Sequence, residues 1–215
     1  MKNSNLKSER QAVKNGLLVC CLVITLSAMA QPSNKCLSFN GSNSAVCAID
    51  DDLGLNYTNN VSVAAWVNWG SKANAGSNSI IATSSDSINS NGQFWLQHNA
   101  DNSKFQFILQ TDSMSKFTAI GTTNPVVGSW YYVVGVYDGS NVNLYVNGIL
   151  EGSTAVTSGQ NMKAFDSTYG YTIGANSKNT NHFNGLIDEV SVWALPLTSL
   201  MIQSSMCTRP STTEK

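Results

Sequence analysis

The segment from Trp130 to Gly148, W-Y-Y-V-V-G-V-Y-D-G-S-N-V-N-L-Y-V-N-G, leaves a folding chain few choices. From Trp130 to Tyr137 every residue except Gly135 is aromatic or β-branched, which suits a buried, pleated strand. Asp138-Gly139-Ser140-Asn141 then supplies a polar turn. Val142, Leu144 and Val146 alternate with Asn143, Tyr145 and Asn147, the two-residue period of a half-buried strand. Asn147-Gly148 follows, and that pair favours a tight hairpin because a type I′ turn needs positive φ at both central positions. Local physics therefore predicts three antiparallel strands in a row.

A second segment, G-L-I-D-E-V-S-V-W from Gly185 to Trp193, extends the pattern. Strict alternation puts Leu186, Asp188, Val190 and Val192 on one face, and Ile187, Glu189, Ser191 and Trp193 on the other. Asp188 then shares a face with three apolar side chains and needs a partner, because a buried lone carboxylate is costly. Elsewhere, Val61, Val63, Ala65, Val67 and Trp69 alternate along a strand. Residues 93–98 and 104–110 form a hairpin pair around Asn99-Ala100-Asp101-Asn102. Shorter strands are expected over 36–41, 45–49, 79–83, 117–120 and 171–175, with an irregular stretch over 152–169. Only 197–206 has helical character. The prediction is an all-β chain, a two-sheet antiparallel sandwich with one short C-terminal helix.

Length bounds this to one sizeable core within 215 residues. Charged residues are only 12% of the chain and the formal net charge is -1. Such a surface of Ser, Asn, Thr and Gly argues against electrostatic capture of nucleic acid or of an anionic membrane. At the amino terminus, Lys2, Lys7, Arg10 and Lys14 precede an apolar run over 16–26 and the small-x-small triplet Ala28-Met29-Ala30. That order reads as a secretory signal over residues 1–30, followed by one domain over 31–206 and a linker-like tail over 207–215. The protein is thus expected to be secreted or at the cell surface, with no membrane insertion once the signal is cleaved.

Cys36, Cys47 and Cys207 remain after cleavage, an odd number for an oxidising compartment. Two pairings stay open. A tight turn at Gly41-Ser42 would let Cys36 face Cys47. Alternatively, Cys36 to Cys207 would tie the first strand to the C-terminus, closing a loop worth about 4–5 kcal/mol in the chain-entropy model. The second is slightly favoured, with Cys47 left as a small buried hydrophobe. The two histidines, His98 and His182, lack zinc-ligand spacing with any cysteine.

Taken together, Leu37–Gly41, Val61–Val67, Trp130–Gly148, Ile173–Ala175 and Phe183–Leu197 resemble the laminin G-like, concanavalin A-like jelly-roll domains of secreted bacterial proteins. The resemblance spans about residues 36–205 and implies two antiparallel sheets, one of them concave. It also implies a structural calcium ion, held by Asp188 with backbone carbonyls near Asn40 and Gly41. This chain has Asn40 where the family frequently shows Asp, which removes one anionic ligand. The bland alternative is that Asp188 accepts backbone N–H groups and binds no metal.

The same fold hosts glycoside hydrolases, whose two carboxylates must flank the scissile bond. Here Asp188 and Glu189 are adjacent, Glu151 stands alone and Asp50-Asp51-Asp52 lies in a loop. No Gly-x-Ser-x-Gly elbow is present either. The expectation is a non-catalytic recognition module for a polysaccharide or an extracellular glycoprotein. Trp69, Trp95, Tyr169 and Tyr171 are the candidate stacking surfaces, and Gln97, His98, Asn99 and His182 the candidate hydroxyl readers. Trp66, Trp130 and Trp193 are read as packing. The rival expectations are a structural or adhesive spacer of a larger surface protein, or an accessory domain of a glycoside hydrolase.

Overall fold

The computed structural model describes residues 36–48, 59–70, 77–83, 92–99, 103–165, 170–176 and 180–207. The signal segment, the Asp50-Asp51-Asp52 run, Tyr169 and the tail from residue 208 lie outside them. In chain order the strands are β1 (Leu37–Asn40), β2 (Val46–Ala48), β3 (Val61–Trp69), β4 (Ser77–Thr83), β5 (Phe94–Asn99) and β6 (Lys104–Gln110). They continue as β7 (Lys116–Ile120), β8 (Trp130–Tyr137), β9 (Asn141–Val146), β10 (Ile149–Ala155), β11 (Tyr171–Ile173) and β12 (Asn184–Trp193), and helix α1 (Ser199–Cys207) ends the sequence of elements.

The strands form two six-stranded antiparallel sheets. The first runs β1-β12-β3-β8-β9-β10 and the second β2-β11-β4-β5-β6-β7. β8, β9 and β10 are neighbours, as the Trp130–Gly148 pattern predicts, and Asn147 takes φ 50° and Gly148 φ 78° in the turn. β10 runs on to Ala155, into the stretch expected to be irregular. β1 and β2 do not form a hairpin with each other; they are edge strands of different sheets.

Between the sheets lies the main core. β3 supplies Val61, Val63, Ala65, Val67 and Trp69; β5 and β6 supply Phe94, Leu96, Phe105, Phe107 and Leu109. Gly135, the single exception in its strand, is explained here: a Cβ on it would lie 2.3 Å from the Phe107 ring. The sheets also close along one side. Thr154 Oγ1 donates to the Thr118 carbonyl at 2.7 Å, and a Cβ on Gly152 would sit 2.4 Å from the Ile120 oxygen. Glu151 accepts from Thr122 N, Thr123 N and Thr123 Oγ1 at 2.8, 2.9 and 2.6 Å, which pins the loop leaving β7 to β10.

A second core lies on the outer face of the first sheet. Ala64 and Trp66 of β3, Tyr132, Val134 and Val136 of β8, and Tyr145 of β9 pack against Leu197 and Ile202. Trp130, Trp193 and Met206 border this cluster, so Trp66, Trp130 and Trp193 are all packing residues, as expected. Ser62 fixes how the chain turns from β12 into α1. Its hydroxyl donates to the Leu195 carbonyl at 2.7 Å and accepts from Leu197 N at 2.8 Å.

β12 departs from strict alternation. Its pairing with β3 slips between Asp188 and Ser191, and Glu189 sits there at φ 52°. One extra residue in a strand reverses which face every later side chain takes. Ile187 opposite Val67 and Val192 opposite Val63 therefore both face the main core, while Asp188 opposite Trp66 faces outward. Asp188 does not share a face with Val190 and Val192.

Candidate functional site

The second sheet's outer face follows from the β5–β6 hairpin. Phe94 and Leu96 alternate inward, so Trp95, Gln97 and Asn99 point outward. Register then sets Gln97 opposite Gln106 and Trp95 opposite Ile108. On the far side, β4 sets Ser79 opposite Gln97 and Ala82 opposite Trp95. β7 sets Thr118 opposite Ile108 and Lys116 opposite Gln110. The result is a row of side-chain amides beside one indole, with no carboxylate among these positions. Gln106 Oε1 accepts from Gln97 Nε2 and from Asn99 Nδ2, both at 3.4 Å. Gln110 Oε1 accepts from Gly92 N at 3.1 Å, and its Nε2 donates to the Met114 carbonyl at 3.3 Å. Lys116 Nζ lies 5.0 Å from the Trp95 ring centroid, within cation–π range.

Chemically, a carboxamide offers a planar donor and acceptor together, and an indole offers a broad apolar surface. Uncharged, hydroxyl-rich molecules match both. These outward positions are nonetheless buried: Trp95, Gln97, Gln106 and Gln110 keep 6%, 6%, 5% and 1% of their surface.

Of the five expected ligand-contacting residues that are described, Trp95 alone lies on this face. Trp69 and His98 pack on each other between the sheets in a tilted pair, ring centroids 4.0 Å apart and planes at 37°, and Trp69 also meets Phe183 edge-on at 5.7 Å. Tyr171 packs against Phe165 and Phe94. His182 is buried, with Nδ1 3.4 Å from the Ser44 carbonyl oxygen. Trp69, His98, Tyr171 and His182 are thus interior groups; for His98 the cause is the strand parity that also buries Phe94 and Leu96. Tyr169 lies outside the described residues. Gln106 and Gln110 were not among the sequence expectations. The hairpin pattern F-W-L-Q-H-N opposite K-F-Q-F-I-L-Q could have exposed them, once register sets Gln97 against Gln106.

The residues implied for calcium do not converge. Asn40 pairs with Asn184, so Asp188 lies four residues further along β12, roughly 13 Å away at strand rise. Asn40 Oδ1 is taken up by its own loop, accepting from Ser42 N, Ser42 Oγ and Asn43 N at 3.0, 3.0 and 3.1 Å. Gly41 N donates to the Phe183 carbonyl at 2.9 Å. A calcium ion needs six to eight oxygens within about 2.6 Å, and Asn40, Gly41 and Asp188 do not offer that arrangement. Among the described residues, no group of three His, Cys, Asp or Glu side chains could hold a metal.

Cys36 is half-buried and Cys47 exposed, and both are free thiols. The expected link from Cys36 to Cys207 is not formed, and the Cys207 side chain lies outside the described residues. Cys47 is not a buried hydrophobe either: it occupies the middle of edge strand β2, opposite Thr172. No helix among the described residues is long and apolar enough to cross a membrane.

Two packed antiparallel sheets with this strand order define a concanavalin A-like jelly roll. The chain belongs to the family whose sequence model, Laminin_G_3, is described as the concanavalin A-like lectin/glucanases superfamily; it matches residues 40–203. Among solved structures, the protein is similar to domain 4 of AbnA, a GH43 extracellular arabinanase from Geobacillus stearothermophilus, in complex with arabinotriose. The two are 19% identical over 82% of this chain and 78% of that one, with a TM-score of 0.61. It is similar also to the Ruminococcus gnavus IT-sialidase CBM40 bound to α2,3 sialyllactose, at 12% identity over 80% and 96% of the chains and a TM-score of 0.66. The botulinum neurotoxin serotype G binding domain matches at 13% identity and a TM-score of 0.61. There 79% of this chain covers 41% of that one. At these identities the likeness establishes the fold. No curated protein matches the sequence.

Proposed function

We propose that this chain is a secreted, non-catalytic recognition module that binds uncharged carbohydrate on the outer face of its second sheet. The observation that carries the reading is the row of Gln97, Asn99 and Gln106 amides beside Trp95, on a face with no carboxylate among its outward strand positions. Amides read hydroxyls with donor and acceptor at once, and the indole supplies the stacking surface. Support for a neutral saccharide comes from the structural neighbour solved with arabinotriose; the neighbour solved with sialyllactose, an acidic saccharide, supports saccharide binding in general. The basic and apolar order of residues 1–30 supports export.

A glycan array on the chain, followed by calorimetry on any hit, tests the reading. Binding to a glycan class that Trp95→Ala and Gln106→Ala each weaken at least tenfold is the expected result. Binding that both variants leave intact would move the site off this face. No binding across neutral and acidic glycans would leave the spacer reading in its place.

A further inference from the structure

The resemblance assigns Asp188 to calcium, yet the geometry gives that carboxylate other work. We infer that Asp188 is a metal-independent clamp for the β12 bulge, and so a residue that sets which side chains of β12 meet the core. Asp188 Oδ1 accepts the Glu189 N–H at 2.9 Å. From the other side, Ser191 Oγ donates to the Glu189 carbonyl at 3.3 Å. Glu189 is therefore bracketed on its N–H and its C=O while it holds φ 52°. A non-glycine residue in that region persists only where its surroundings over-determine it. The bracket supplies that determination.

The consequence reaches beyond the bulge. Before it, Ile187 faces the main core; after it, Val190 and Val192 do so, and Trp193 borders the second core. A β12 without the extra residue would turn Val190 and Val192 outward and Trp193 inward, and would unseat the wall on which α1 packs. The clamp keeps both cores in phase with one another. It needs no cation, because the backbone N–H already partners the carboxylate and Asn40 lies at the opposite end of the β1–β12 ladder.

Thermal unfolding of wild type, Asp188→Ala and Asp188→Asn, each with EDTA and with millimolar calcium chloride, tests the inference. The expected result is that Asp188→Ala lowers the midpoint by about 2–6 °C, equally in both buffers. Asp188→Asn keeps an oxygen acceptor and falls less; should the alanine variant fail to fold, it carries the comparison. Calcium that raises the wild-type midpoint but not that of either variant would overturn the inference, as would an alanine variant as stable as wild type. A calcium-dependent rise that survives in the variants places the ion elsewhere and leaves the clamp standing.

Discussion

The outer faces of the two sheets are built from the same strand geometry and put to different ends. On the first sheet, Trp66, Tyr132, Val134 and Val136 point outward and α1 covers them through Leu197 and Ile202. On the second, the outward positions of β5 and β6 carry Trp95, Gln97, Gln106 and Gln110, and α1 packs on the other sheet. An apolar outer face must be covered, since leaving it wet forgoes about 25 cal/mol per Å² of burial. The amide face is buried as well, but its cost is met by hydrogen bonds among the amides rather than by apolar cover. The difference teaches that one outer face is held by apolar cover and the other by its own polar network.

The comparison breaks most sharply at the two tryptophans. Trp66→Ala removes the centre of the second core, where the indole lies 5.3 Å from the Tyr132 ring, and should cost about 3–5 kcal/mol. Trp95→Ala removes an indole as buried as Trp66, 6% against 5% exposed, but its cross-strand neighbours are Ala82 and Ile108 rather than a second apolar cluster, and it should cost less, about 2–3 kcal/mol. Chemical denaturation of both variants settles it: equal losses would make Trp95 a structural residue and remove the contrast. Next in size is Ile202→Ala, expected to cost about 2–4 kcal/mol by loosening α1 from the first sheet. Helix loss visible by circular dichroism before global unfolding would show that this cover is a separate cooperative unit. A single transition would show the opposite.

Much of this architecture was legible in the residues. The Trp130–Gly148 run specified β8, β9 and their hairpins because its composition, alternation and turn chemistry agree. The 197–206 stretch showed helical character, but nothing in L-T-S-L-M-I-Q-S-S-M revealed that the helix covers a second core. That follows only once Ala64, Trp66 and Val134 are seen to share the outward face. Asp188 was misplaced for a different reason. Glu189 carries no sequence mark of positive φ, so counting alternate residues through it reversed every later side chain. The candidate site was half legible. Gln97 and Asn99 were read as hydroxyl readers, whereas His98 was drawn inward by strand parity and Gln106 needed the hairpin register to be noticed.

Ser62→Ala sharpens the comparison at a smaller scale. Its hydroxyl joins the Leu195 carbonyl to the buried Leu197 N–H, so its loss leaves two backbone groups at a part-buried turn without that partner. The expected cost is about 1–2 kcal/mol. Because the turn belongs to the first sheet's cover, the variant should leave any glycan affinity of the second sheet unchanged. A parallel fall in affinity would mean that the two faces are coupled.

The smallest effect is a pH dependence confined to the first sheet. Burial raises the Tyr132 phenol above its usual 10.0; the Ser205 hydrogen bond at 2.9 Å partly offsets this, and the Glu189 carboxylate adds to the rise. A phenol whose ionisation is harder in the folded than in the unfolded chain stabilises the fold fully below pH 10, and that contribution is lost as pH climbs through the raised value. Tyr132→Phe cannot ionise there and gives up one hydrogen bond, about 0.5–1.5 kcal/mol at pH 8. The stability gap between wild type and variant should therefore narrow above pH 10. Urea midpoints at pH 8 and at stepped values above 10 measure it, and subtracting the variant removes the contribution of Tyr137, whose phenol is also raised by burial. A gap that stays constant across that range would show that the Tyr132 hydroxyl remains solvated beneath α1, and that the helix covers this face less closely than the apolar packing around it implies.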